Sequence, residues 1–569
     1  MRIRHLSINN FRGIREMKWA LPDKALFCLI GRGDSTKSTI LEAVRRIFHE
    51  QWNLAFDDAD FYQCTPQNKI RIEVVLGNIP EEFRDLEKYG HWISGWDRLN
   101  LRHNDEPGDG LEDVLRIRLD LGEDLAPSWH VIKKDDDEGV HFKSNDRSKA
   151  AVSLIGALTD RHLTWSRGSL LNRLTETENI SSSLAEAGRA ARGALEAHRN
   201  ENLSKFDEVA KTAEETARTL GVNVASSYKA HLDAEAVNVR IGGLALHDGE
   251  MPLRQLGLGS KRMLTTGLQK KNLRDPHITL FDEVEIGLEP HRIARLLQHL
   301  KEDMTGQYFL TTHSPVVLRE LTIDDLYIVH SKNGKTEIIA AGKPAIADSI
   351  QGKIRSGAEA FLAPKIIVCE GATEAGFLRG LDVYWVSKSK NSFAYQGIAL
   401  FDANGASKIK EIAEGVKDLS YHVSVLADSD EGDQFSDADV KSLQESGVTV
   451  TIWGGGLCIE RRVFEDLPWP GVKASFEAAC TINGDRNRAL DQVGTQYGQG
   501  FNRNCAEWRD EPRLRQALGK AAKTCSWFKR QSKAQAWVAA ISAYFDDAAI
   551  RDTDFVRRVN DLRAWIDRA

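Results

Sequence analysis

The segment that most constrains this 569-residue chain is Leu26-Phe27-Cys28-Leu29-Ile30, followed at once by Gly31-Arg32-Gly33-Asp34-Ser35-Thr36-Lys37-Ser38-Thr39. A short, unbroken apolar run reads as a strand buried on both faces, the kind found inside a parallel sheet. The residues after the loop, ILEAVRRIFH, have apolar positions at helical spacing. Strand, glycine-containing loop and helix together predict a phosphate cradle, because inward-turned N–H groups and a helix N-terminus both attract anions. Gly31, Gly33, Asp34, Ser35, Thr36, Lys37, Ser38 and Thr39 are the candidate nucleotide contacts. Lys37 is placed to reach the β- and γ-phosphates and Ser38 to hold Mg²⁺. The pattern G-x-x-x-x-G-K-[ST] has Gly where this chain has Thr36, and a stiff β-branched residue there predicts a narrower loop.

Three later segments complete this site. His277-Ile278-Thr279-Leu280-Phe281-Asp282-Glu283 is an apolar strand ending in two carboxylates. Asp282 suits indirect control of Mg²⁺, and Glu283 suits polarising an attacking water. Gly287-Leu288-Glu289-Pro290 predicts a turn. Tyr308-Phe309-Leu310-Thr311-Thr312-His313 is a strand ending in a histidine, read as a sensor of the γ-phosphate.

A second set of acids follows. Lys365-Ile366-Ile367-Val368-Cys369-Glu370-Gly371-Ala372-Thr373-Glu374 predicts strand, tight turn and helix, with Glu374 one helical turn after Glu370, so that both face one point. Val423 to Ala427 is another strand, ending in Asp428-Ser429-Asp430. An extended backbone would point Asp428 and Asp430 the same way. Carboxylates gathered at the C-terminal ends of parallel strands are the oxygen donors that Mg²⁺ or Mn²⁺ needs. Two such ions can clamp the attacking and leaving oxygens of a phosphodiester.

The order of the P-loop, Leu256-Gly257-Leu258-Gly259-Ser260-Lys261-Arg262, Asp282-Glu283 and His313 resembles an ABC-type ATPase head of the SMC/RecF kind. The opening Leu6-Ser7-Ile8-Asn9-Asn10-Phe11-Arg12-Gly13 is similar to that family's first strand, which implies that Arg12 approaches the nucleotide. The resemblance implies ATP as cofactor. It also implies a homodimer or higher homo-oligomer, in which Gly259 and Ser260 face the nucleotide of a second head. The signature here is not LSGG.

The strand-Glu-Gly-x-x-Glu and strand-Asp-x-Asp combination resembles a Toprim domain. A head followed by Toprim resembles the OLD (overcoming lysogenization defect) family of ATP-dependent nucleases, to which the Gabija nuclease subunit belongs. The resemblance covers residues 1–345 and 362–470. Two further matches, Gly456-Leu457-Cys458-Ile459-Glu460 and Ser526-Trp527-Phe528-Lys529, imply Glu460 as a second-metal ligand and Lys529 as the cation that stabilises the pentacovalent phosphate.

The expected architecture is therefore α/β. It comprises an ABC/SMC-type ATPase domain over 1–345 with a helical insertion at about 150–225, read as a dimerisation arm or as two packed helices of the core, a Rossmann-like Toprim domain over 362–470, and a helical extension over 471–569 that completes the nuclease site. The implied activity is ATP-regulated, metal-dependent endonucleolytic cleavage of double-stranded DNA in antiphage defence, with a helicase-like partner as in Gabija. The alternative is an SMC/RecF-like DNA clamp without nuclease activity. A topoisomerase or primase ranks lower, since neither a zinc ribbon nor a nucleophilic Tyr stands out.

Composition bounds these readings. The longest apolar stretch, Ala534 to Phe545, is too short for a membrane span. The seven cysteines are scattered without a CxxC pair, which predicts neither disulfides nor zinc and fits a reducing cytoplasm. The run Asp135-Asp136-Asp137-Glu138 reads as a solvated loop. The net charge of −7 argues against a nucleic-acid partner until it is divided along the chain. Residues 501–569 carry 14 Lys+Arg against 9 Asp+Glu, with Trp508, Trp527 and Phe528 interleaved among the basic residues, which predicts a phosphate-contacting surface there.

Overall fold

The computed structural model describes residues 1–50, 54–150, 152–155, 163–165, 169, 171, 186, 189–190, 201–220, 222–228, 245–272, 277–342, 351–352, 354–355, 357–430 and 432–568. Most of the expected helical insertion lies outside the described residues. The part inside includes the helix Glu201–Thr219.

Two sheets organise the chain. The first has 14 strands. Its parallel portion runs, edge inward, Val152–Ile155, Ile278–Phe281, Gln307–Thr311, Leu26–Ile30 and Leu326–Lys332. Leu26–Ile30 is buried at every position, as its unbroken apolar sequence requires. Lys335–Ala340 turns back antiparallel to Leu326–Lys332 and pairs with Ile14–Ala20. From there the sheet continues as an antiparallel meander through Arg2–Phe11, Ile70–Gly77 and Glu112–Leu121. The acidic run Asp135–Glu138 is a turn beside this meander. Asp135 pairs with Arg116, and the Asp137 carboxylate accepts the N–H groups of Lys133 and Lys134.

The second sheet has four parallel strands in the order Ile398–Asp402, Lys365–Cys369, His422–Ala427, Thr449–Ile452. Side chains alternate across a strand, so each face needs its own cover. Ile366 and Val368 face a core shared with the first sheet, which includes Leu310, Val317, Phe361 and Ile409. Ile367 and Cys369 face the other way, into a core with Phe377, Trp453, Phe476, Leu518, Phe528 and Trp537. The C-terminal helices, including Pro512–Thr524 and Gln531–Ile541, thus close one side of the second sheet. Lys365 ties the first residue of the central strand to the carbonyl of Ile566 at 2.9 Å. Across the junction of the two sheets, His330 bonds the carbonyl of Leu419 at 2.9 Å, and the Tyr421 hydroxyl donates to the carbonyl of Phe361 at 2.7 Å.

This packing corrects the reading of the C-terminal aromatics. Trp508, Trp527 and Phe528 are buried at 7%, 3% and 0% exposure, so they are core and offer no stacking platform. Several of the interleaved basic residues are engaged within the fold. Arg515 caps the carbonyls of Phe464, Glu465 and Leu467, Arg513 bonds the carbonyls of Tyr497 and Gln499, and Lys533 bonds Asn483. Arg509, Lys520, Lys529 and Arg530 remain exposed. All seven cysteines are free thiols. No described helix is long and apolar enough to cross a membrane.

Candidate nucleotide and metal centres

Three strands of the first sheet deliver their C-terminal ends to one place. After Leu26–Ile30 the chain turns through Gly31, whose φ of +147° and whose ideal Cβ position, 2.6 Å from the carbonyl of Val329, leave room only for glycine. Thr36 adopts the left-handed region at φ 71°, ψ 11°, a strained conformation for a β-branched residue, and the helix Lys37–Ile47 follows. The Lys37 ammonium folds into the loop and donates to the carbonyls of Gly31 (3.0 Å) and Arg32 (2.8 Å) and to Ser35 Oγ (3.2 Å). Burial draws its pKa down to about 8, against the opposing pull of Asp282. Ser38 Oγ donates to Asp282 Oδ1 at 2.8 Å, and Thr311 Oγ1 donates to the same oxygen at 2.7 Å.

Glu283 sits at φ 47° and donates its N–H to Thr311 Oγ1 at 2.8 Å. His313 is exposed, with its backbone N–H on Glu285 Oε1 at 2.7 Å, while Thr312 Oγ1 bonds Glu285 Oε2 at 2.7 Å. Arg12, with a left-handed φ of 49°, is tied through Nε to Asp60 at 2.8 Å.

The helix Leu258–Asn272 supports the acidic loop. A Cβ on Gly259 would lie 2.1 Å from the carbonyl of Gly287, so the helix start and the turn after Glu283 touch backbone to backbone. Ser260 Oγ accepts from Arg292 at 3.1 Å. Arg262, only 2% exposed, donates to the carbonyls of Asp282 (3.0 Å), Glu283 (2.8 Å), Ile286 (3.1 Å) and Ile155 (3.3 Å). Arg262 and Glu285 are further residues of this site. Arg262 had a signal, a lone arginine in the glycine-rich signature, whereas Glu285 had none before its partner loop was known.

The second sheet gathers the other acids in the same way. Glu370 follows Lys365–Cys369 directly, and its Oε2 accepts the N–H of Asp428 at 3.0 Å. Glu374 lies in the first turn of the helix Ala372–Ser387 and caps it, accepting the N–H of Gly371 at 2.9 Å. Asp428 follows His422–Ala427, and its Oδ1 accepts the N–H of Ile459 at the start of the helix Ile459–Asp466, at 2.9 Å. Glu460, in that helix's first turn, is 6% exposed, and Glu374 is 4% exposed. The chain bends after Ala427, so the relation of Asp428 to Asp430 is set by a turn rather than by strand alternation.

Burial and mutual repulsion raise the pKa values of these acids. Glu374 is pushed up to about 8 by burial, then by Glu460 and Glu370. Asp428 is raised well above its ordinary value by burial and by Glu374, Glu460 and Glu370. Glu460 is also raised, chiefly by burial. Ligand atoms of Asp428, Cys458 and Glu460 lie within 4.8 Å of one another, the one such grouping among the described residues. Crowded, buried carboxylate oxygens that resist ionisation fit a hard divalent cation, which would supply the missing positive charge. Cys458 adds a buried thiol that hydrogen-bonds Glu460. Asp430 pairs with Lys523, in the last turn of Pro512–Thr524. Lys529 stands exposed in the turn beyond that helix, outside any helix and without an ion pair to a described residue.

With the geometry in place, comparison with known proteins gives the class: an ATPase head joined to a Toprim domain. The family model described as "AAA domain, putative AbiEii toxin, Type IV TA system" matches residues 26–319, and the chain belongs to that ATPase family. The model for the Toprim domain of overcoming-lysogenization-defect-like proteins matches residues 361–430, so the chain joins that ATPase domain to an OLD-like Toprim domain. A curated relative, the "Retron Vc95 probable ATPase" of Vibrio cholerae serotype O1 biovar El Tor, is 20% identical over 413 residues, covering 60% of this chain and 76% of the relative. Among solved structures, the SMC head domain from Thermotoga maritima is 15% identical (60% of this chain, 99% of that one, TM-score 0.30). The recombination mediator protein RecF-ATPrS is 11% identical (60% and 98%, TM-score 0.31).

Proposed function

We propose that this protein is an ATP-regulated, divalent-metal-dependent DNA endonuclease. The observation that carries the reading is the convergence of Glu370, Glu374, Asp428, Asp430 and Glu460 from separate strand ends and helix starts, with three of them raised in pKa by burial and mutual repulsion. Glu370, Glu374, Asp428, Asp430 and Glu460 would hold the cations, two Mg²⁺ or Mn²⁺. Glu370 also steadies the loop at Asp428, and Asp430 sits at the edge, paired with Lys523. When bound, such cations lower the pKa of a water and neutralise charge on the scissile phosphate. Lys529 is assigned to the developing phosphate charge and the exposed basic residues of the C-terminal segment to the DNA backbone.

In the ATPase site, Lys37 and Ser38 bind the nucleotide phosphates and Mg²⁺. Asp282 holds Ser38 in place, Glu283 orients a water, and His313 reads the γ-phosphate. Arg12 approaches the nucleotide from the first strand. Ser260 faces a second copy across a homodimer, whereas Gly259 is buried against Gly287 of its own chain and is not available to face one. The cytoplasm is the proposed compartment, and antiphage defence the proposed role, for which the support is a relative named as the probable ATPase of a retron. A helicase-like protein is the proposed partner.

The test is cleavage of supercoiled and linear DNA with Mg²⁺ or Mn²⁺, with and without ATP, by wild type, Glu374→Ala, Asp428→Ala and Lys37→Ala. Metal-dependent cleavage lost in both carboxylate variants supports the reading. No cleavage under any condition favours the DNA clamp. Cleavage surviving both changes puts the catalytic acids elsewhere.

A further inference from the structure

The contact between Lys523 and Asp430 joins two elements that sequence separates widely. Asp430 lies in the bend after His422–Ala427, and Lys523 lies in the last turn of the helix Pro512–Thr524, which packs into the core against the second sheet. The Asp430 side chain is 10% exposed and that of Lys523 41%, so the ammonium reaches down from the solvent side onto a nearly buried carboxylate. The same ammonium acts electrostatically on Asp428, Cys458 and Glu460 as well. A single positive charge thus sits at the mouth of a crowded group of acids. Lysine suits a site that must be vacated, since its ammonium is a compact charge on a flexible stem and binds one oxygen without the fixed fork of arginine.

We infer that Lys523 is a built-in competitor for the divalent cation: its ammonium occupies Asp430 when the acids are metal-free and must swing away before Asp430 can turn to a metal ion. The inference rests on the metal-site reading above. It assigns Lys523 a positioning role, setting the metal concentration at which the centre fills. Neighbouring basic residues on the same helix have no such role. Lys520 is exposed and has no contact with the acids.

The experiment is a Mn²⁺ titration of the full chain followed by electron paramagnetic resonance of free Mn²⁺, which reads affinity without reading activity. Lys523→Gln should bind Mn²⁺ about tenfold more tightly than wild type, the scale expected for removing one unit charge a few ångströms from a divalent ion. Lys523→Arg, which keeps the charge, should bind no more tightly than wild type, and Lys520→Gln should match wild type. Unchanged or weaker binding in Lys523→Gln overturns the inference. So does tighter binding in Lys523→Arg, which remains decisive if the glutamine variant fails to fold. Glu374→Gln separates the two readings. If it leaves Mn²⁺ affinity at the wild-type value, the metal centre itself is misplaced. If it abolishes binding while Lys523→Gln changes nothing, only the competitor role falls.

Discussion

Ser38 and Asp282 lie 244 positions apart in the chain, yet Ser38 Oγ donates to Asp282 Oδ1 at 2.8 Å. The bond joins the P-loop helix to the end of a strand two places away in the parallel sheet. It aligns the hydroxyl that would face a metal ion with the carboxylate that would control it. Lys37→Ala should remove most nucleotide affinity, and Ser38→Ala should weaken affinity only when Mg²⁺ is present. Calorimetric titration with ATP, with and without Mg²⁺, checks both.

Arg262 covers the carbonyls of Asp282, Glu283, Ile286 and Ile155 from inside the protein. Arg262→Met removes a donor from these carbonyls, of which that of Glu283 keeps the Ile286 N–H, and should cost about 2–4 kcal/mol, on a scale of about 1–3 kcal/mol per group left unsatisfied. Gly259→Ala drives a methyl into the Gly287 carbonyl and should cost about 1–3 kcal/mol. Both variants should lose ATP hydrolysis along with thermal stability. Melting curves and phosphate release measure the two effects.

Glu374 predicts a pH dependence of stability in protein stripped of divalent ions. Its pKa is about 8 in the fold against 4.5 for the free group. Between these values the folded state holds a proton that the unfolded state has released, so stability falls as pH rises from about 4.5 to 8. Asp428 and Glu460 act in the same direction. Glu374→Gln should flatten this decline and melt above wild type at pH 8 without metal. Added Mg²⁺ should raise the wild-type melting temperature most at that pH. Scanning calorimetry in chelator, at pH 5 and pH 8, reads both outcomes.

Trp527 and Arg530 are close in sequence and differ in consequence. Trp527 is buried and bonds Gln492 through Nε1 at 2.7 Å, so Trp527→Ala should cost about 3–5 kcal/mol of stability. Arg530 is exposed, so Arg530→Ala should leave stability unchanged. It should also reduce the slope of log affinity against log salt for duplex DNA by about 0.9, the share of one phosphate contact. Urea melts and fluorescence anisotropy at several salt concentrations separate them.

Local chemistry was legible from the chain alone wherever a functional group stands at the end of an apolar run. Leu26–Ile30 leading to Lys37, Ile278–Phe281 to Asp282, Gln307–Thr311 to His313, Lys365–Cys369 to Glu370 and His422–Ala427 to Asp428 were all read that way, because buried strands and the turns after them are dictated by neighbours in sequence. Strand order, and therefore which ends meet, depends on pairings between distant segments. Only the folded sheets bring Ser38 to Asp282 and Glu370 to Asp428. The same limit explains the C-terminal segment. Its charge pattern is visible in sequence, but whether an aromatic lies inward or outward depends on what packs against it. Trp508, Trp527 and Phe528 were needed to cover the face of the second sheet that carries Ile367 and Cys369. Residue types determined what chemistry this protein holds. Tertiary packing decided which acids share a site, which charges are already spent, and that Lys523 is the cation on Asp430.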